Sequence, residues 1–454
     1  MGLLTCAIAG AGATSYALGA LVSFGDFRGV VLTLAFIIGL YSYAFLIFRL
    51  FLWAFPLRSG EIAEGSQQEF VYHVYLLFFL ILFYPVMRSG FVPVPLMRLV
   101  YIALGAKLGP FGGWLMPIEY QGALAEHRAV RERVGLFDLT HLGKVEVAGP
   151  GALGLLQGVV TNDVSAVEVG RAQYNLVLNE GGGVIEDLIV YRLGPDRYFV
   201  VPNASNTQRV LQILGEADAP DRVHLMYHQD WCFLAVQGQR SPSIVTSLFP
   251  EAAELSFMRC AESAFRRRPV IVTRSGYTGE VGFELFTYED MAVDLWHELM
   301  DAMVMFEGMP CGLASRDVLR LEMGYPLYGQ DLFESSTAFE AGLGWAVSLD
   351  KGDFRGREAL VRQQREGLPS RLRGLRMHER RHIPRAHYPV FNGDLVIGEV
   401  TSGTFSPLLE TGIGLAYLWP GDVADVGAEV EVDIRGRRGA ATVVRPPFVD
   451  RSPR

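Results

Sequence analysis

Residues 174–191, YNLVLNEGGGVIEDLIVY, decide how this chain is read. Apolar residues flank Gly181, Gly182 and Gly183 on both sides, the pattern of two strands joined by a glycine turn. Consecutive glycines let the backbone take φ > 0 and let another group, a ligand by expectation, come close. Glu186 and Asp187 open the return strand among apolar neighbours, so neither acid is merely solvated. Residues two apart share a face of a strand: Asp187 goes with Ile189 and Tyr191, and Glu186 with Leu188 and Val190. Asp187 therefore lies on the side of Tyr191, whose ring and phenol suit a flat ligand.

Working outward, the chain has 454 residues, half hydrophobic and a fifth charged, which predicts two or three units with separate cores. A net charge of −9 argues against nucleic acid as the main partner, because a phosphate-binding surface needs excess Lys and Arg. Cys6, Cys232, Cys260 and Cys311 are far apart and form no C-x-x-C, so they read as reduced thiols in a reducing compartment.

The apolar excess is concentrated near the N-terminus. Residues 2–24 and 30–48 carry no charge, and each run is near the ~20 residues a helix needs to span a bilayer. Residues 70–86 make a shorter third candidate. Residues 1–95 are thus expected to form a multi-pass membrane anchor of about three transmembrane helices. The distribution of Lys and Arg predicts an outside N-terminus and a cytoplasmic catalytic region. The run GAGATS at residues 10–15 lacks the third glycine and the following strand-helix-strand unit of a dinucleotide site, and reads better as small residues for helix packing.

After Pro110 the texture changes to alternating strands, amphipathic helices and Gly/Pro turns, the mixture of an α+β fold. A helix is predicted over residues 126–134, one strand over 136–147 with a polar break at Thr140 and His141, and further strands over 184–193, 198–201, 232–236 and 270–273. Short strands from residue 371 onward suggest a C-terminal β-barrel. The expected organisation is an anchor at 1–95, a main region at 96–370 and a barrel domain at 371–454. His378, His382 and His387 sit among Arg380, Arg381 and Arg385 in what reads as a solvated loop, and no metal site is expected. No H-E-x-x-H, P-loop or G-x-S-x-G elbow is present.

Several further segments occur in a telling order. They are LGAKLGPFGGWLMP at 104–117, EHRAVR at 126–131, GLFDLTHLG at 135–143 and the hairpin at 174–191. VPNASN at 201–206, GYTGEVGFE at 276–284 and GLASRDVLRLE at 312–322 follow, then LYGQ at 327–330 and TSGTFSP at 401–407. In this order and spacing they resemble the glycine cleavage T-protein family, the tetrahydrofolate-dependent aminomethyltransferases. The resemblance implies a multidomain α+β folate-binding fold ending in a β-barrel, with TSGTFSP in one of the barrel's loops.

It also implies roles. A buried carboxylate can accept two hydrogen bonds from the amino-pyrimidinone edge of a pterin, and by resemblance that carboxylate is Glu284, with Arg316 close by. Tyr174, Tyr191, Tyr277 and Asn203 match family positions that face folate, and Leu142 stands where the family often has methionine. Asp187 matches the family's catalytic aspartate, placed to stabilise charge developing at nitrogen. Glu186 departs from the aspartate common at its position. The basic run at 380–385 is, on charge alone, a candidate contact for the glutamyl tail.

The function expected is transfer of a one-carbon unit, an aminomethyl group, to tetrahydrofolate by a membrane-anchored enzyme, with a lipoylated carrier protein as the partner bearing the donor. Two alternatives stand beside it: a tetrahydrofolate-dependent demethylase of a small methylated compound, and a non-catalytic folate-binding regulator. A branch of the second kind carries a lysine-glycine-cysteine-tyrosine motif where this chain has MGYPLYGQ at 323–330, and the missing cysteine counts against it.

Overall fold

A computed structural model describes residues 96–453 apart from 220 and 420–423. The anchor expected at 1–95 lies outside the described residues. Among the described residues, no helix is long and apolar enough to cross a membrane.

Two sheets stack face to face with helices on their outer sides. The first is antiparallel and runs in the order Arg171–Leu178, Val184–Gly194, Arg197–Val201, Val145–Ala148, His224–Tyr227. The second is ordered Cys260–Phe265, Arg268–Thr273, Gly282–Tyr288, Trp231–Gln237, Gly135–Asp138, Met309–Cys311, and only its last pair is parallel.

Strand alternation explains the layering. Leu188 and Val190 turn outward, Ile185 joins them through the bulge that shifts the register between Val177 and Leu178, and all three are covered by Leu155 and Leu156 of helix Ala152–Val159 and by Val210 and Leu214 of helix Thr207–Glu216. Tyr191 and Phe199 turn inward and meet Phe286 of the second sheet, with ring centroids 6.0 and 5.2 Å away, and Phe233 packs beside Phe286. Aromatic pairs at such separations add about 0.5 to 1.5 kcal/mol each beyond the area they bury. The second sheet's outer face carries helices Ser241–Leu248 and Glu289–Met303, through Ile244, Val245, Leu295, Trp296 and Leu299.

The predicted single strand over 136–147 is two strands in different sheets. Asp138 ends the first by accepting from the Thr140 backbone N–H at 2.7 Å, and the Thr140 hydroxyl accepts from Phe233 N–H at 3.1 Å. Lys144 Nζ then donates to the Thr140 carbonyl at 2.7 Å, and Val145 begins a strand of the other sheet. The polar residues at the break mark a crossover between layers, which apolar periodicity alone does not reveal.

The six C-terminal strands, Arg371–Met377, Pro389–Asn392, Leu395–Ser406, Thr411–Leu418, Glu429–Asp433 and Arg438–Val444, close into a barrel filled by Leu375, Val390, Val400, Val432 and Val443. Most of TSGTFSP lies within the strand Leu395–Ser406 rather than in a loop. The register shifts between Val400 and Ser402, and the hydroxyls of Thr401 and Ser402 both donate to Asp331. The barrel is also fastened through Glu322, whose carboxylate accepts from Ser406 and whose carbonyl accepts from Phe448 N–H at 2.8 Å.

Candidate active site

Between the two sheets and the barrel lies a cavity of about 1630 Å³. It is lined in part by Leu142, Tyr174, Asp187 and Tyr191 from the side of the first sheet. Asn203, Tyr277, Glu284 and Arg316 line it as well, so all eight residues singled out in the sequence meet at one cavity.

Strands Arg171–Leu178 and Val184–Gly194 pair with Leu176 opposite Asp187, which puts Tyr174 diagonally across from the acid on the same face. The Tyr174 hydroxyl donates to Asp187 Oδ2 at 3.0 Å, and Asn203 Nδ2 donates to Oδ1 at 2.9 Å. Trp345 stacks on Tyr174 at 5.2 Å and also lines the cavity. Burial pushes the Asp187 carboxyl up to about 6, and these two donors pull it back toward the ionised form.

Glu186 faces the other way, as alternation requires, and is fully buried. Its Oε1 accepts from Asn203 N–H at 2.8 Å and Nδ2 at 2.6 Å, and its Oε2 accepts from Asn206 Nδ2 at 2.6 Å. Burial and the charge of Asp187 push it up to about 8. Two acids this close titrate as a pair, the ionisation of one holding the proton on the other. Asn206 was not singled out in the sequence. Its signal was the position three after Asn203 in VPNASN, on the segment that meets the outward face of the hairpin.

The glycine turn does not serve a ligand. None of its three glycines lines the cavity, and only Gly182 has positive φ, at 82°. A Cβ on Gly183 would stand 1.8 Å from the Glu334 carbonyl oxygen, and Val184 N–H donates to Phe333 and Ser336 carbonyls. The close approach that glycine permits is to the chain itself.

At Glu284, Oε2 accepts from the hydroxyls of Ser275 and, at 3.2 Å, Tyr191, while Oε1 has no donor among the described residues. Burial raises this carboxyl above its ordinary range, and nearby Arg316 pulls it back. Arg316 lies 4.7 Å over the Tyr277 ring, and its Nη1 is buried without a hydrogen-bond partner among the described residues. The Tyr277 hydroxyl is anchored on the Pro326 carbonyl, which fixes the ring.

The basic run is a correction. Among the described residues, Arg380, Arg381 and Arg385 do not line the cavity, whereas Arg373 and Arg445 do. His378 and His387 are instead surface partners of Glu429 and Glu399. The conspicuous motif EHRAVR is structural: Arg131 is buried on Glu322 and Glu280, and His127 Nε2 lies 2.8 Å from Glu322.

Comparison with known proteins places this geometry. The GCVT N-terminal domain matches residues 97–351, and the glycine cleavage T-protein C-terminal barrel domain matches residues 371–450. The chain belongs to the glycine cleavage T-protein family. An aminomethyltransferase from Parafrankia sp. is 51% identical over 359 residues, covering 78% of this chain and 97% of the relative. One from Mycobacterium tuberculosis is 44% identical over 348 residues, 76% of this chain and 94% of the relative. The crystal structure of glycine cleavage system aminomethyltransferase T from Bartonella henselae superposes with a TM-score of 0.74 at 33% identity, covering 79% of this chain and 98% of that one.

This T-protein family member is a one-carbon transferase that uses tetrahydrofolate. The residues present fit that ligand. A carboxylate oxygen without a donor, a guanidinium without an acceptor and a fixed tyrosine ring meet in one cavity, the set of partners that a flat amino-oxo heterocycle satisfies.

Proposed function

We propose that the chain is an aminomethyltransferase that takes its one-carbon unit from an aminomethyl group on a lipoylated carrier protein, with release of ammonia. Tetrahydrofolate supplies the accepting nitrogen. The observation that carries the reading is the Asp187 carboxylate, held on the cavity wall by Tyr174 and Asn203. A buried, oriented anion of this kind stabilises positive charge developing at nitrogen and needs little reorganisation to do so. Glu284 and Arg316 hold the pterin, Tyr277 supplies a ring wall, and Leu142 an apolar contact. Tyr191 both lines the cavity and orients Glu284 through its hydroxyl.

Membrane attachment through residues 1–95, with the catalytic region in the cytoplasm, is part of the same proposal. It is supported by the two charge-free runs at 2–24 and 30–48. Turnover with tetrahydrofolate against a panel of aminomethyl and N-methyl donors tests the reaction: ammonia released in step with transfer supports it, and transfer from methylated amines without ammonia overturns it. Extraction of the full-length chain from membranes only with detergent tests the anchor.

A further inference from the structure

Three polar side chains on the cavity wall are left with unmet hydrogen-bonding capacity. Glu284 keeps Oε1 free, and Arg316 donates no side-chain hydrogen bond within the described residues. His141, which the sequence marked only as a polar break, is the third. It is 4% exposed, its ring stands edge-on to Phe111 with centroids 5.4 Å apart, and Nδ1 is packed in without a partner among the described residues.

The packing sorts the two ring nitrogens. A buried N–H without an acceptor is rarer and costlier than a bare ring nitrogen, so Nδ1 carries the lone pair. Burial beside Arg316 and Lys144 pushes the imidazole down to about 3, so the ring is neutral and has a single N–H. That N–H is on Nε2, the nitrogen left to the cavity that His141 lines. One wall thus offers an acceptor on Glu284 and donors on Arg316 and His141.

We infer that His141 is a specificity-determining residue whose Nε2–H, with the Arg316 guanidinium, selects a ring carbonyl next to the N–H groups held by Glu284. The cavity then takes 2-amino-4-oxo pteridines and rejects 2,4-diamino ones. An amino group in place of the oxo group sets donors against donors and leaves them buried and unpaired, the situation in which polar sites discriminate best. The inference rests on the reading of this cavity as the pterin site.

Calorimetry on the full-length chain tests it, with tetrahydrofolate and its 4-amino-4-deoxy counterpart as probes. The wild-type protein is expected to prefer tetrahydrofolate by at least about 100-fold. His141→Phe keeps an aromatic ring against Phe111 but has no donor, and narrows the preference about tenfold, chiefly by weakening tetrahydrofolate. His141→Asn keeps an N–H donor and recovers part of the difference. Wild-type protein that binds both probes alike overturns the inference without any variant, and so does a preference unchanged in His141→Phe or equally lost in His141→Asn. Failure of wild-type protein to bind tetrahydrofolate at all overturns instead the reading of the cavity as the pterin site, and this inference with it.

Discussion

Asn203 donates to Glu186 twice, through its backbone N–H at 2.8 Å and through Nδ2 at 2.6 Å. The same Nδ2 lies 2.9 Å from Asp187 Oδ1, so the outward acid aims the amide that holds the inward one. Glu186→Gln brings an amide N–H against these donors and disturbs the amide that holds Asp187. We expect kcat to fall about 10- to 100-fold, in keeping with a small displacement at a reacting centre. Because Glu186 keeps its proton while Asp187 titrates, the acid limb of the kcat profile is expected to stay where it is in the wild type. Glu186→Asp keeps a carboxyl to accept from Asn203 and shows a smaller loss of kcat. A pH–rate series on the three proteins checks this.

Asp187→Asn keeps the shape of the side chain and removes its charge. Loss of an oriented electrostatic group at a reacting centre costs about 10²- to 10³-fold in kcat, with the dissociation constant for tetrahydrofolate changed by no more than about threefold. Single-turnover transfer together with calorimetry separates the two quantities.

Stability depends on pH through the same pair. Folded Glu186 and Asp187 hold protons up to about 8 and 6, whereas their ordinary values are 4.5 and 3.8. Between roughly pH 4 and pH 8 the folded state therefore binds more protons than the unfolded state, and the pair's contribution declines as pH rises. Urea unfolding is expected to show wild-type protein losing on the order of 1 to 3 kcal/mol from pH 5 to pH 8 relative to Glu186→Gln.

Glu284→Ala leaves the cavity without its free acceptor and leaves Arg316 without the charge that supports it. Tetrahydrofolate binding should weaken at least about 100-fold, the cost of removing a buried ionic acceptor from its donors, and calorimetry measures it.

Glu322→Ala tests the joint between the main region and the barrel. Glu322 receives Arg131, His127 and Ser406 with none of its carboxylate exposed. Removing one partner of a buried ion pair costs about 3 to 5 kcal/mol, read as a lowered urea midpoint.

The hairpin, the split between its two acids and the barrel were legible because they rest on period-two alternation and turn residues, which are local. What was not legible depends on partners far along the chain. Residues 136–147 look like one strand until Phe233 and Thr140 fix a crossover. The TSGTFSP segment looks like a loop because Gly and Ser are weak strand formers, yet past a bulge at Thr401 its residues 402–406 pair with the barrel strand Thr411–Leu418. Arg380, Arg381 and Arg385 drew attention by charge, but Arg373 and Arg445, outside that run, reach the cavity. His141 carried no signal of its own, because its meaning comes from which nitrogen the fold leaves unburied.

Gly183 fits against the carbonyl of Glu334, and Asn179 Nδ2 donates to that same carbonyl at 2.9 Å. The tip of the hairpin that carries Asp187 is thus clamped by residues about 150 positions later. A chain emerging from the ribosome has its acid pair long before it has the clamp. Contacts of such sequence separation form late, so the nascent hairpin remains an unlocked ribbon until synthesis passes residue 336. Catalytic competence arrives as a late event in biogenesis, and a chain truncated before that point would carry every hairpin residue yet lack the clamp that fixes the hairpin's tip.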